Sequence, residues 1–498
     1  MKFIHCWFSL ILGCFLILWA ISGIVLNHRS LVASYEIPRK WLGDSYEYQN
    51  WNFASVRSGF TWEENSLILY GNVGIWLTDV NFQHYEPLMD GIPDGLDNRK
   101  IFKILKTPKG HCYAGTQSGL YYFQPQNKKW LKIGLDLHDE RVLDLAYKEQ
   151  KLFVLTRSEL FYTEDIPQKW QFSLQSIPAS SEDDGKTSLF RTLWLIHSGE
   201  IFGRWGKLAV DFLALVMVFL CITGYVYYFF PGWISRRKKK ALDNRIFLRI
   251  SRFCVKWHKK AGLMLGIFLL LVVVTGMFLR PPLLIPVASQ RVPKMPFSTL
   301  SNDNPWYDSL RTIHWNSDGN YWLLGSSRGF FVSDPDFSKP ILPIEKQPPV
   351  SVMGINVMEY LGRGAYLVGS FTGIFIWHVE SGFIQDYIRK TQYHAKNSIA
   401  SPMGEYMISG MLPWKNRHLL FDYRKGLLYG DIPMPSVLQN QGMPLWNFAL
   451  EVHTGRIFQG ILGQFYILVI PLLGLATCLI LLSGFVLQMP KLKLQKKH

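Results

Sequence analysis

The chain is short of the residues that usually hold metal clusters. It has six cysteines in 498 residues and no Cys-x-x-Cys or Cys-x-x-Cys-His, which argues against an iron–sulfur cluster, a zinc ribbon or a covalent c-type haem. Cys6, Cys14, Cys221 and Cys478 lie in apolar runs, Cys254 precedes one, and Cys112 alone sits in a large polar segment. One cysteine there leaves no intramolecular disulfide. Acidic residues are also scarce where basic ones collect. Between Arg236 and Lys260 there are eleven Lys/Arg against Asp243 alone. With Lys2 and the tail Lys491, Lys493, Lys496 and Lys497, this accounts for fifteen of the +16 net charge. Each of these pieces borders an apolar run, the mark of the cytoplasmic side of a membrane protein. A nucleic-acid footprint would instead spread over a folded face, so no nucleic-acid partner is expected.

What the chain has is long apolar runs, with membrane lipid as the expected surroundings. Phe3–Leu26, Leu208–Phe230, Ala261–Leu279 and Ile461–Leu487 are each long enough for a bilayer, which takes roughly 20 helical residues. Lys2 and the first run also fit a signal peptide, and Ile11-Leu12-Gly13-Cys14 faintly fits a lipoprotein site. Setting His5 on His258, however, puts Gly13 on Gly266 and Ser22-Gly23 on Thr275-Gly276. A segment so like an internal span reads as a retained helix. Every run carries a small-Gly pair: Ser22-Gly23, Thr223-Gly224, Thr275-Gly276 and Ser483-Gly484. Close helix packing accounts for these pairs; room for a flat cofactor is the other reading.

The expected fold class is membrane α + β: a four-helix transmembrane bundle with two large periplasmic β-rich segments. The expected division is 1–28 (first span), 29–190 (outer segment, about three blades) and 191–235 (histidine motif and second span). A basic cytoplasmic loop follows at 236–257, then the third span at 258–280 and a second outer segment of two or three blades at 281–446. The histidine motif and fourth span occupy 447–489, and a basic cytoplasmic tail 490–498. Both termini are then cytoplasmic, in a multi-pass protein of the bacterial inner membrane. The outer segments repeat a strand, tight turn, strand unit: Tyr113-Ala-Gly115-Thr-Gln-Ser-Gly119-Leu-Tyr121 matches Leu323–Phe331 and Leu367–Phe375, and weaker copies start at Tyr70 and Leu155. Spacings of 44, 40 and 44 residues suit propeller blades. One β-propeller-like domain split between the two segments is expected, and two separate β-sandwiches are the alternative.

Ile196-His197-Ser198-Gly199-Glu200-Ile201-Phe202 returns as Val452-His453-Thr454-Gly455-Arg456-Ile457-Phe458, so the chain reads as a duplication. Five of its 13 histidines stand at membrane boundaries: His5, His28, His197, His258 and His453. Ionisable groups there are costly unless paired or coordinating. Any one alone could be an interfacial histidine bonded to headgroups or backbone. As a set, His5 and His258 are equivalent in the two halves, as are His197 and His453. A pseudo-two-fold bundle would bring each pair face to face, the cage of a bis-histidine b-type haem. Gly13, Gly23, Gly262, Gly266 and Gly276 would let the porphyrin lie against backbone. Zinc is less apt, because carboxylates and cysteines are missing beside these histidines. His28 has no counterpart, since Pro281 stands at its equivalent; it could replace His197 or His453, or sit at the haem edge. Asp211, inside the second span, is expected to pair with Arg204 or Lys207.

Lys256-Trp257-His258-Lys-Lys-Ala-Gly262-Leu-Met-Leu-Gly266, ending in Val274-Thr275-Gly276, resembles the PepSY-associated transmembrane family, as do the His-Ser/Thr-Gly-x-Ile-Phe stretches at His197 and His453. The resemblance covers the spans and their flanks, about a third of the chain. It implies two b-type haems held by histidines at these positions, and an electron path to a periplasmic ferric chelate such as a ferric siderophore, as in the family's siderophore reductases. Small α/β PepSY domains, usual in relatives, are not found outside the membrane. No glycine-rich nucleotide loop occurs in the short cytoplasmic parts, so a separate cytoplasmic or quinol donor is expected. The catalytic residues are unknown from sequence. The alternative function is a non-redox anchor whose propeller binds a peptide, glycan or partner protein.

Overall fold

Apolar composition carried over 20 or more residues leaves backbone groups no partner in lipid except within a helix. In the computed structural model, which describes residues 2–137, 139–351, 354–393, 404–415 and 417–488, four helices are long and apolar enough to cross a membrane. They cover His5–Asn27, Glu200–Lys239, Arg245–Phe278 and Arg456–Gln488. The chain forms two compact units. The first gathers Met1–Val32, Gly185–Asn302 and Leu445–His498; the second gathers Ala33–Asp184 and Asp303–Pro444.

In the first unit each span packs on two others, in the cyclic order one, two, three, four. The basic segment expected as a loop at 236–257 is mostly helix. The second span runs on to Lys239 and the third begins at Arg245, leaving a turn of a few residues. Lys and Arg are good helix formers, and cations in a last turn suit the helix dipole. Phe247 packs on Phe230 and Trp233 across that turn, under the Arg237 guanidinium. The basic tail at 490–498 lies outside the described residues. The second and fourth spans are each preceded by a short amphipathic helix ending in a motif histidine, Leu189–Ser198 and Leu445–His453. Gly199 and Gly455 then turn the chain in the left-handed conformation, at φ 78° and 72°.

The second unit is β structure made of small antiparallel sheets. Five are four-stranded, each a sequential meander, within 58–87, 101–133, 144–175, 310–343 and 355–386. A sixth, within 408–427, has three strands. The repeated glycine unit is the hairpin between the second and third strands, with Gly71 opposite Gly74, Thr116 opposite Gly119, Ser326 opposite Gly329 and Ser370 opposite Gly373. Second strands such as Ala365–Ser370 are buried on both faces, so they read as unbroken apolar runs rather than alternating ones. Trp51, Trp306, Trp322 and Trp377 are the largest fully buried side chains and fill the spaces beside the sheets.

Sheet neighbours follow chain order. The leading strands Ile101–Lys106, Asp144–Lys148, Leu310–Asn316, Ile355–Gly362 and Ile408–Trp414 touch in succession, and Ile408–Trp414 also touches the first sheet's Ser58–Glu63. The first and second sheets meet through Ser66–Gly71 and Ile101–Lys106. Both outer segments therefore contribute to one unit, which overturns the alternative of two separate sandwiches. A buried polar tie joins the second and third sheets. Asp165 accepts from His111 Nδ1 and from the Tyr113 hydroxyl, both at 2.8 Å, and Trp170 donates to that hydroxyl at 3.2 Å.

Candidate cofactor site: two histidine pairs in the bundle

Ser and Thr in apolar helices usually return their hydroxyl proton to a carbonyl three or four residues earlier. The hydroxyl of each small-Gly pair does this. Ser22 donates to Trp19 O at 3.1 Å, Thr223 to Leu220 O at 3.2 Å, Thr275 to Val272 O at 3.0 Å and Ser483 to Ile480 O at 2.8 Å. At each of these places a boundary histidine from another segment comes to rest. His5 Nδ1 lies 3.1 Å from both Ser483 Oγ and Ile480 O. His258 Nδ1 lies 2.9 Å from Thr223 Oγ1. His453 Nδ1 lies 3.1 Å from both Ser22 Oγ and Trp19 O, and His197 Nδ1 lies 2.9 Å from Val272 O.

This network assigns the tautomer. Carbonyls only accept, so the Nδ1 atoms of His5, His453 and His197, each within hydrogen-bond reach of a carbonyl, are donors, while His258 Nδ1 meets the Thr223 hydroxyl. Those three rings then carry the proton on Nδ1 and a free lone pair on Nε2. Among the described residues no Nε2 of these four makes a hydrogen bond. Metal-binding histidines are oriented in this way, with the second nitrogen donating to a carbonyl or hydroxyl and the first left for the metal.

The glycine of each pair makes the space. An added Cβ would stand 2.6 Å from His197 Cε1 at Gly276, 3.2 Å from His5 Cε1 at Gly484, 3.3 Å from His453 Cε1 at Gly23 and 3.6 Å from His258 Cε1 at Gly224. The glycine of each pair thus gives its space to a histidine ring from another segment. Gly13 and Gly266 give their space to aromatic rings instead, Tyr225 and Phe485 respectively, while Gly262 faces nothing closer than 3.9 Å.

The histidines meet as equivalent pairs. The ring centroids of His5 and His258 are 6.2 Å apart and perpendicular (86°). Those of His197 and His453 are 5.8 Å apart at 52°. Two imidazoles bound to one metal from opposite sides, with metal–nitrogen bonds of about 2.0 Å, hold their centroids roughly 6 Å apart. Both pairs therefore have a centroid spacing compatible with two imidazoles on one metal. Among the described residues no group of three or more His, Cys, Asp and Glu is placed to hold a metal ion.

His28 is placed differently. Its Nε2 is engaged, 2.7 Å from Asp211 Oδ2, while Asn27 Nδ2 donates to Asp211 Oδ1 at 2.8 Å. The pairing of Asp211 with Arg204 or Lys207 is thus corrected: Lys207 reaches Glu200 at 3.5 Å, and Asp211 turns inward to Asn27 and His28. A buried carboxylate gains more from two short donors than from an exposed lysine. The hydroxyl cradles went unread in sequence, although all four small residues of the pairs are Ser or Thr and none is Ala, the signal that could have shown them.

Comparison with known proteins gives one informative match. The family model of the PepSY-associated TM region matches residues 119–491, which takes in the second, third and fourth spans and both His-Ser/Thr-Gly motifs. No curated protein matches. Among solved structures, the extracellular domain of the one component system BT4673 from B. thetaiotaomicron is 11% identical, with a TM-score of 0.34, over 77% of this chain and 39% of that one. An ancestral GH74 enzyme is 8% identical, with a TM-score of 0.30, over 75% of this chain and 36% of that one. The chain spans well under half the length of these two structures, and scores this low carry no fold assignment. The family match covers most of the sequence and all but the first span of the bundle: this chain belongs to the PepSY-associated transmembrane family.

Proposed function

We propose that this protein is a b-type haem protein of the bacterial inner membrane that moves electrons across the bilayer to a periplasmic acceptor, a ferric chelate such as a ferric siderophore. His5 with His258 would hold one haem and His197 with His453 the other. Bound there, haem supplies one-electron transfer, and its potential is set by axial ligation, burial and hydrogen bonds to the ligands. The chain's own part is to hold four imidazoles by Nδ1, set them in two close pairs, and surround them with apolar helix. The observation that carries this reading is the double coincidence at each pair: centroid spacings of 6.2 and 5.8 Å, with every Nδ1 tied and every Nε2 free.

The basic residues at 236–260 support reading that end of the bundle as cytoplasmic and the β unit as periplasmic. We read its six successive sheets as the blades of one propeller, three from each outer segment. The donor is a separate cytoplasmic protein or a quinol. The test is stopped-flow oxidation. Protein in nanodiscs, reduced with limiting dithionite, should reoxidise on mixing with a ferric chelate and yield ferrous iron in matching amount. A reduced spectrum that persists on mixing with ferric chelates would count against the acceptor class. A protein that never shows reducible bands would remove the redox reading altogether.

A further inference from the structure

A β-bulge re-aims the residue it leaves unpaired. The register slips at the second residue of four leading strands of the second unit, leaving Phe102, Arg311, Asn356 and Ser409 out of the ladder. Arg57 sits at the same place in the first sheet. Its backbone N–H donates to Tyr70 O at 2.7 Å while its neighbour Ser58 is the residue opposite Tyr70. Bulge-position side chains from three sheets, the first, second and fifth, then meet. The Arg57 guanidinium lies 5.0 Å over the Phe102 ring of the second sheet, and its Nη1 reaches Asn356 Oδ1 of the fifth at 3.4 Å.

Two cations at this meeting point make few or no side-chain hydrogen bonds among the described residues. Arg57 Nε is fully buried with no hydrogen bond, and the long contact to Asn356 is the one side-chain hydrogen bond Arg57 makes among the described residues. Lys103, next to Phe102 and half-buried, makes no hydrogen bond or ion pair among the described residues. Tyr70, itself buried, bears on the charge of both. The other charged groups facing Lys103 are Asp144 and Glu359, with the imidazole of His314 beside Lys103 and Asp144. Asp144 is already held by the Ile313 and Leu145 backbone N–H groups at 2.9 Å and by the Thr312 hydroxyl. Burial draws the Arg57 pKa down to about 10, against the pull of Tyr70 and Tyr423, so the side chain stays cationic at neutral pH. Lys103 stays charged as well, because Asp144, Tyr70 and Glu359 outweigh its burial.

Leaving the buried Nε of a half-buried guanidinium unpaired is costly, and the guanidinium fork matches the two oxygens of a carboxylate or phosphate. We propose that Arg57 and Lys103, flanked by Tyr70, Asn356 and Phe102, form a binding site for a small oxyanion where the leading strands converge. Arg57 would take two oxygens in its fork over the Phe102 ring, Lys103 would add the second charge, and Asn356 would orient the group. The site is separate from the histidine pairs and does not depend on them.

Isothermal titration of the full-length protein in nanodiscs, with succinate in one arm and inorganic phosphate in the other, tests the site. At least one should bind with one site per chain and raise the melting temperature. Binding of succinate alone assigns a carboxylate ligand, and binding of phosphate alone a phosphoryl one. Arg57→Gln and Lys103→Met should each weaken binding at least tenfold, whereas the exposed Lys128→Gln should leave it unchanged. If Arg57→Gln does not fold, Arg57→Lys keeps the charge without the fork and should bind several-fold more weakly. No binding of either anion at 10 mM (roughly the millimolar range of the weakest specific ligands), or equal binding by the variants and the parent, would overturn the proposal.

Discussion

The four glycines under the histidine rings make a graded test. At Gly276 an alanine Cβ would stand 2.6 Å from His197 Cε1 and 3.0 Å from Nδ1. The ring must retreat by about 0.8 Å to reach the 3.4 Å at which ordinary contact begins. That movement acts on the Nδ1 to Val272 O bond of 2.9 Å and on the aim of Nε2 together. Overpacking of this kind costs about 1–3 kcal/mol and a neutral hydrogen bond about 1 kcal/mol. Together, at about 1.4 kcal/mol per tenfold, Gly276→Ala should weaken cofactor binding at that pair by about one and a half to three orders of magnitude. At Gly224 the same substitution meets His258 Cε1 at 3.6 Å, ordinary contact, and should change binding less than threefold or so. Gly484→Ala and Gly23→Ala, at 3.2 and 3.3 Å, should fall between. The assay is haem per chain from the pyridine haemochrome spectrum, with haem-loss rates to an apoprotein trap. Equal loss at Gly224 and Gly276, or full retention at Gly276, would refute the reasoning that these glycines exist to seat the imidazoles.

Three further outcomes follow from the geometry. His28→Ala should retain the full haem complement, because its Nε2 serves Asp211; Asp211→Ala should lower stability by about 1–3 kcal/mol by stranding Asn27 and His28, read as a melting shift with an unchanged spectrum. His314 is held down to about 4, chiefly by burial and also by Lys103, with Asp144 opposing. The folded form thus resists a proton that the unfolded chain accepts near 6.5, so this contribution is full above about pH 6.5 and is lost as pH falls towards 4, at most about 3 kcal/mol. Denaturant midpoints should therefore drop across that window, and His314→Gln should flatten the slope. Asp165→Ala strands His111 and Tyr113 and should cost about 3 kcal/mol in the β unit, with haem content unaffected.

The legible parts of the sequence were those written in local pattern. Four apolar runs announce four spans, and the glycines at 74, 119, 329 and 373 announce hairpins, because a tight turn at positive φ leaves few alternatives to Gly. The two His-Ser/Thr-Gly motifs and the His5–His258 equivalence gave the candidate residues by repetition. Less visible was everything set by contacts distant in sequence. Ser22-Gly23 has the same letters whether a neighbouring helix or an imidazole fills it; only the fold brings His453 there. Asp211 had basic residues within two helical turns, yet its partners lie 183 and 184 residues away. The run of lysines and arginines after 236 was read for charge, which hid its helix propensity. Arg57 and Lys103 carry no signal in the sequence, since a bulge on the leading strands leaves no local signature.

The most direct test of the central claim is the haem count of single-pair variants. The full-length protein purified from haem-replete cells should carry two b-type haems, with reduced-minus-oxidised bands. His5→Ala/His258→Ala and His197→Ala/His453→Ala should each keep one haem, with different midpoint potentials. A correctly folded, colourless protein, or double variants that keep both haems, would contradict the account.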